Sequence, residues 1–196
     1  MSHIGVLESE LRTFEIELAS QQKLALASYC DELVHWNKKM NLTGLGGHDM
    51  VRRLVVEPLW IGHQLKPQGI LADIGSGNGS PAIPLHVLCR FSETHMVEVR
   101  ARRAAFLRHI ATTLKLSGVI VHRSRFETIA SELRPLDWIT FQGVAFTEGL
   151  FNSIRNAAIA TTNVVWISSP DTRPPAKPVR TFQVPFTATR VLLFRL

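Results

Sequence analysis

The feature that most restricts the fold is a regular alternation of short apolar runs with helix-like segments, which begins near residue 70. Apolar runs of four or five residues recur there, separated by segments such as RRAAFLRHIATTLKL, which has an apolar stripe at helical spacing. Runs of this length are typical of buried strands, and strands that alternate with helices form βα units. The sequence therefore predicts an α/β fold with a mostly parallel sheet. The predicted strands are Ile70–Ile74, Met96–Val99, Val119–His122, Trp138–Phe141 and Val164–Ser168.

The two ends of the chain differ from this pattern. Through QKLALASYCDELVHWNKK the apolar residues recur at helical spacing, and HDMVRRLVVEPLWIGHQL predicts a further helix that ends near Pro67. We therefore expect a helical N-terminal extension over residues 1–66 and an α/β domain over residues 67–196. After a proline-rich loop, TFQVPF and TRVLLFRL indicate two more strands, which could form an antiparallel edge of the sheet.

Charge is unevenly distributed along the chain, although the net charge is +6. Residues 1–98 hold 8 Lys and Arg against 11 Asp and Glu, whereas residues 99–196 hold 14 against 5. A basic surface attracts polyanions because binding releases their counterions, so nucleic acid is a candidate partner. Many soluble basic proteins bind no nucleic acid, so charge alone leaves both interpretations open.

The cysteines and the N-terminus indicate the compartment. The only cysteines, Cys30 and Cys89, lack the spacing of a metal site or a redox pair. The first residues, MSHIGVLESELRTFEIEL, carry acids where a signal peptide needs basic and then apolar residues, and no uncharged run reaches about 18 residues. We expect a cytoplasmic protein with no metal and no membrane segment.

Three glycines lie within five residues in DIGSGNGSPAIP, directly after the first apolar run. A glycine-rich turn between a strand and a helix exposes main-chain N–H groups at the sheet edge where open α/β folds bind ligands. The dinucleotide pattern GxGxxG is not met, because Ser80 stands at its last glycine, and no GxxxxGK[ST] loop is present. The stretch does match DxGxGxG, the first motif of methyltransferases that use S-adenosylmethionine.

Two acids agree with that cofactor. Asp73 precedes the glycines, where it suits the positive ammonium and sulfonium of the ligand and would repel a pyrophosphate. Glu98 follows about twenty residues later, at the end of the second run, where a carboxylate can accept both ribose hydroxyls. An unrelated acid at a strand end is the alternative for Glu98. The predicted cofactor residues here are Asp73, Gly75, Ser76, Gly77, Gly79 and Glu98.

Five segments resemble, in order and spacing, the bacterial small-subunit ribosomal RNA guanine-7-methyltransferases, also called glucose-inhibited division protein B. They are WNKKMNLTG, DIGSGNGSPAIPL, RRAAFLRHIATTLKL, HRSRFE and DWITFQGVA, and they cover roughly residues 20–145. The resemblance implies a Rossmann-like class I fold with seven strands and a short helical N-terminal extension. It also implies methylation of a guanine at N7 in 16S rRNA or the small ribosomal subunit, and we expect the protein to be a monomer. By position, Gly75 and Ser80 would line the methionine end of the cofactor, Phe126 and Glu127 the adenine, and Gln142 the rim that faces the RNA.

The implied chemistry makes few demands on side chains. N7 of guanine carries a lone pair and no proton, so attack on the sulfonium methyl needs alignment and no general base. The chain lacks the [DN]PP[YF] motif of enzymes that methylate exocyclic amines, since its Pro174-Pro175 pair lies in RPPA. We therefore assign no catalytic acid or base, and we expect arginines to rim the RNA site. The candidates are Arg52, Arg53, Arg123 and Arg125.

Several positions depart from the family pattern on the substrate side. Phe141-Gln142 stands where the family usually has Ser-Arg, which removes a cationic fork suited to phosphate or guanine. Ser80 is small where a bulky residue is usual, Leu54 stands at a usual histidine, and WISSP replaces the usual Gly-Lys after the fifth strand. Three interpretations stay open: an rRNA guanine methyltransferase, a divergent member with another substrate, and a folded relative that binds cofactor or nothing without catalysis.

Overall fold

The structure is a computed structural model, and it describes residues 3–133 and 135–195. Met1, Ser2, Arg134 and Leu196, which fall within the predicted parts of the chain, lie outside the described residues. The N-terminal elements are α1 (His3–Thr13), α2 (Ser20–Asn37), α3 (Gly47–Val51), a π-helical turn (Arg52–Val56) and α4 (Glu57–Leu65). They are followed by β1 (Gln68–Ile74), α5 (Ala82–Leu88), β2 (Arg90–Val97), α6 (Ala101–Thr113), β3 (Val119–His122), α7 (Phe126–Ile129), β4 (Leu136–Gln142), α8 (Glu148–Ala157), β5 (Ala158–Ser168), β6 (Arg180–Gln183) and β7 (Arg190–Arg195).

The seven strands form one sheet in the order β3-β2-β1-β4-β5-β7-β6. Strands β1 to β5 pair in parallel, and β7 runs antiparallel to both β5 and β6. The predicted α/β fold with a mostly parallel sheet is therefore confirmed, and so is the antiparallel arrangement of the last two strands. β7 lies inside the sheet, between β5 and β6, so β6 alone forms that edge.

Helices cover both faces of the sheet, which explains why its strands read as continuous apolar runs. Alternate residues of β5 separate the two cores: Val165 and Ile167 belong to one cluster, and Val164 and Trp166 to the other. The first cluster also contains buried residues of α1, α2 and α4, so the N-terminal extension shares a core with the sheet. The division at residues 66 and 67 stays a prediction.

Two further properties hold for the part of the chain that the structure describes. None of its helices is both long and apolar enough to cross a membrane. No group of three or more His, Cys, Asp and Glu residues is placed to hold a metal ion.

Candidate functional site

The glycine loop begins where β1 ends, and the end of β2 holds it in place. The main-chain N–H groups of Gly75 and Ser76 both donate to the carbonyl oxygen of Val97, at 2.8 and 3.0 Å. Gly79 N–H donates to the carbonyl oxygen of Ser76 at 2.6 Å. The φ angles of Gly75, Gly77 and Gly79 are 71°, 50° and 98°, a region that side chains disfavour, which explains the three glycines.

The three glycines differ in what a side chain would meet. A Cβ on Gly75 would lie 2.6 Å from Val144 Cγ2, and one on Gly79 would lie 2.4 Å from Ile83 Cδ1. A Cβ on Gly77 would meet nothing closer than 3.5 Å. Gly75 and Gly79 are therefore required by packing inside the protein, whereas the side of Gly77 is open in the sense that a Cβ would clash with nothing and would only contact Arg103, Gly75 and Glu98 at 3.5–4.0 Å.

Asp73 lies beneath this loop and is 1% exposed. The Thr140 hydroxyl donates to Oδ1 at 2.7 Å, and Oδ2 has no partner among the described residues. The pKa of Asp73 is raised to about 6, mainly by burial and less by the nearby Glu98, against the lowering effect of the Thr140 and Ser76 hydroxyls. A buried carboxylate oxygen without a donor fits a cationic group of a ligand, because such a group would satisfy it.

Glu98 is also buried, and it is aimed at the loop. Its Oε2 accepts from the Gly77 N–H at 3.1 Å, and its Oε1 accepts from the Arg100 N–H at 2.7 Å. Each carboxylate oxygen can accept more than one hydrogen bond, so both can still receive hydroxyls. The structure thus brings Asp73, Glu98 and the open side of Gly77 together.

The N-terminal extension holds the loop from the other side. The hydroxyl of the buried Tyr29 in α2 donates to the carbonyl oxygen of Asn78 at 2.9 Å. The Asn37 side chain accepts from the N–H groups of Leu42 and Thr43, and the Leu42 carbonyl oxygen accepts from Asn78 Nδ2 at 3.4 Å. These contacts give the WNKKMNLTG segment a physical role, and sequence reasoning missed Tyr29 because nothing local links it to the loop.

The remaining predicted cofactor residues lie at the same sheet edge or close to it. Phe126 begins α7 after β3, and its side chain is buried in the second core cluster, so it is not open to a ligand in this structure. Glu127 follows it and is exposed, and Ser80 is buried at the end of the glycine loop. The assignment of Phe126 and Glu127 to adenine stays a prediction.

A cleft of about 750 Å³ opens beside the loop, at the ends of β4 and β5. Gln142 lines it, and its place at the substrate rim stays a prediction. Val144 lines it as well and also contacts the position of Gly75, so the cleft adjoins the glycine loop. The other lining residues include Arg53, Glu57, Phe146, Trp166, Arg173, Phe186 and Thr189.

Of the residues that depart from the family pattern at positions 54, 141 and 142, only Gln142 lines this cleft. Phe141 is fully buried and packs against Phe146 and Trp166, with ring centroids 4.9 and 5.9 Å apart. Leu54 is buried in the first core cluster. The expectation that Phe141 and Leu54 lie on the substrate side is therefore corrected, because both are core residues, whereas Gln142 does line the cleft.

The predicted RNA-binding arginines lie on different elements. Arg52 makes two hydrogen bonds to the buried Glu10, at 2.7 and 3.1 Å, and its side chain is 34% exposed, so its contact with RNA stays a prediction. Arg53 is exposed at the cleft. Arg123 and Arg125 are exposed after β3, which β2 and β1 separate from β4.

Sequence reasoning also missed an acid in the wall of the cleft. Glu57 is 1% exposed, and its Oε2 accepts from the Thr189 hydroxyl at 2.5 Å. The one local signal is an acid within the apolar stretch LVVEPLW. Its partner is 132 residues away and could not be found from the sequence.

The strand order, the glycine loop after β1 and the acid after β2 define a class I methyltransferase fold. A Streptococcus mutans protein solved in complex with SAH shares this fold, with a TM-score of 0.53, 13% identity, and coverage of 71% of this chain and 98% of that one. The family model described as rRNA small subunit methyltransferase G matches residues 22–168, and the chain belongs to this family.

Two relatives show the extent of the similarity. The chain is 36% identical over 121 residues to ribosomal RNA small subunit methyltransferase G of Chloroflexus aggregans, a match that covers 60% of this chain and 50% of the relative. It is 30% identical over 160 residues to the Wolinella succinogenes protein of the same name, and here 82% of each chain is covered. The chain thus spans half the length of the first relative and most of the second.

Proposed function

We propose that this protein transfers a methyl group from S-adenosylmethionine to N7 of a guanine in 16S rRNA. The observation that carries the proposal is the open side of Gly77, framed by the buried carboxylates of Asp73 and Glu98 and adjoining a cleft. Membership of the family supports the substrate, since both relatives are named ribosomal RNA small subunit methyltransferase G.

The residues present fit the cofactor. Oδ2 of Asp73 would accept from the ammonium group, and Glu98 would accept the ribose hydroxyls. The bare main chain at Gly77 leaves room for close approach, and Glu127 and the α7 start would lie towards adenine. The remaining loop residues, Gly75, Ser76, Gly79 and Ser80, would shape the site through their main chain.

S-adenosylmethionine supplies an electrophilic methyl group on a sulfonium. N7 of guanine carries a lone pair and no proton, so the protein needs no general base and contributes mainly by alignment. Val144 lies between the loop and the cleft, and Phe146 and Trp166 form an apolar wall of the cleft that excludes water. Gln142 contributes a neutral amide at the rim.

The cleft also suits RNA. Arg53 and Arg173 line it and can pair with phosphate. Phe186, at the turn between β6 and β7, is 73% exposed, and exposed aromatic rings stack on unpaired bases. We propose that the protein acts as a monomer in the cytoplasm on 16S rRNA or the small ribosomal subunit.

The test has two stages. Calorimetry with S-adenosylmethionine and SAH should show binding at micromolar levels. Transfer of labelled methyl groups should then be measured on small ribosomal subunits and on naked 16S rRNA, and mass spectrometry should locate 7-methylguanosine. Absence of any heat of binding at high protein concentration would refute the cofactor assignment.

A divergent substrate is the second candidate, and Gln142 is the observation that favours it. A neutral amide holds the rim position where the family usually has arginine, so a less anionic substrate could be accepted there. Proven cofactor binding without transfer to either rRNA substrate would favour this candidate, or a non-catalytic relative.

A further inference from the structure

Glu57 differs from an ordinary structural acid. It begins α4 and lies in the wall of the cleft with almost no exposure. Thr189 donates to Oε2, but Oε1 has no hydrogen-bond partner among the described residues. Glu10 offers the comparison: it is equally buried, and Arg52 and His48 bond both of its oxygens. Hydrogen bonds inside the protein satisfy both oxygens of Glu10, but they leave Oε1 of Glu57 without a donor.

The local backbone brings this acid to the cleft. The Glu57 N–H donates to the carbonyl oxygen of Arg52, five residues earlier, which closes the π-helical turn. Such turns insert one extra residue into a helix and occur frequently at functional sites. Here the turn contains Arg53 and ends directly before Glu57, and both residues line the cleft.

The missing donor can be identified from the chemistry of the substrate. When N7 of a guanine faces the glycine loop, the opposite edge of the base carries N1–H and the exocyclic amine, which are adjacent donors. A carboxylate is an acceptor for both, and enzymes that act on an unstacked base read this edge by hydrogen bonds. Adenine would present a lone pair at N1 instead, which a carboxylate repels.

We propose that Glu57 selects guanine in the cleft by accepting hydrogen bonds from its N1–H and exocyclic amine. The inference rests on the proposed function, because it takes guanine N7 as the methylated atom. Burial raises the pKa of Glu57 on balance, against the lowering effect of the Thr189 hydrogen bond and of the charges of Arg53 and Arg52, and two donors from a base would stabilise the ionised carboxylate.

Inosine provides the test, because it keeps N7 and N1–H and lacks the exocyclic amine. Mass spectrometry first locates the guanine that the wild type methylates, and splinted ligation then places inosine at that position of 16S rRNA. Wild type should methylate guanine about ten- to hundredfold more efficiently than inosine, the value of one hydrogen bond to a charged group. Glu57→Gln should methylate the guanine and inosine rRNAs with nearly equal efficiency, and both rates should be low.

Controls separate this inference from folding and from the proposed function. Glu10→Gln removes a buried acid of structural role, so it should lower the melting temperature and leave the guanine-to-inosine ratio unchanged. Glu57→Asp should retain part of the ratio, and it replaces Glu57→Gln if that variant does not fold. SAH affinity should be the same in wild type and Glu57→Gln.

An unchanged ratio in Glu57→Gln would overturn the role of Glu57 and leave the methyltransferase proposal standing. Wild-type protein that binds SAH but methylates neither rRNA would overturn the rRNA substrate and the inference together. Wild-type protein that methylates both rRNAs equally would overturn the inference alone.

Discussion

Replacing Asp73 with Asn tests whether this buried acid is retained for a ligand at the expense of stability. Thr140 donates to one carboxylate oxygen, and the other has no partner among the described residues. Burial raises the pKa from 3.8 to about 6, so at neutral pH the ligand-free protein holds an ionised carboxylate out of contact with water. We expect Asp73→Asn to abolish SAH binding and to gain stability relative to wild type as the pH rises.

The magnitude follows from the shift in pKa. Between the unfolded and folded pKa values, the folded state binds the extra proton, so the free energy of unfolding falls as the pH rises through this window. The window runs from about 3.8 to about 6. At about 1.4 kcal/mol per pH unit, it corresponds to about 3 kcal/mol. Asparagine does not titrate, so the stability of the variant minus that of wild type should rise by about 3 kcal/mol between about pH 4 and about pH 7.

Urea unfolding followed by tryptophan fluorescence at several pH values measures this difference. Thr140→Val is the matched variant: it removes a hydrogen bond that lowers the pKa of Asp73, so its stability should fall with pH over a wider range, and by more in total, than that of wild type. Saturating SAH should reduce the pH dependence of wild type, because its ammonium favours the ionised acid. A difference between Asp73→Asn and wild type that does not change with pH, or undiminished SAH binding by the variant, would refute the reasoning.

Three further predictions concern the loop and the rim. Glu98→Ala should weaken SAH binding by roughly ten- to hundredfold in calorimetry, and it should also destabilise the fold by about 1–3 kcal/mol, because the Gly77 N–H loses its acceptor. Gly77→Ala should fold with a loss of about 1–2 kcal/mol in stability, because its φ is positive, and it should no longer bind SAH. Gly79→Ala should lose more stability in thermal unfolding, because its Cβ would lie 2.4 Å from Ile83. Equal SAH affinity for wild type and Gly77→Ala would place the ligand elsewhere. Gln142→Arg should raise methyl transfer to 16S rRNA, more at low salt than at moderate salt, and Gln142→Glu should lower it; no response to either change would argue against phosphate or guanine at this rim.

Much of the fold could be predicted from the sequence, because strands and helices leave local patterns. The five apolar runs correspond to β1 to β5, and the two terminal segments to β6 and β7. The glycine loop was found in the same way, since positive φ angles select glycine whatever the rest of the chain does. Sequence alone also placed Asp73 and Glu98 at adjacent strand ends, because parallel strands end at the same edge of a sheet.

Contacts between distant residues were decided only by the tertiary structure. Only the fold showed that Arg52, a candidate RNA-binding arginine, bonds Glu10, which is 42 residues away in the chain. Phe141 looked like a substrate residue until its side chain was found among Phe146 and Trp166. Alternation along a strand predicts that successive side chains face opposite sides, but this sheet has a core on each side, so alternation does not show which side chains at a strand end also reach the cleft.

The division of roles among similar residues has the same cause. The sequence has three glycines in one motif and two acids, Glu10 and Glu57, in the N-terminal helical region, and no local pattern shows which of them could serve a ligand. Packing distinguishes the glycines, because Val144 and Ile83 fill the space beside Gly75 and Gly79 and leave Gly77 open. The local pattern of the chain determined the architecture and the position of the loop. Burial and hydrogen bonding depend on every neighbour in three dimensions, so only the folded structure decided which groups remain free to contact a ligand.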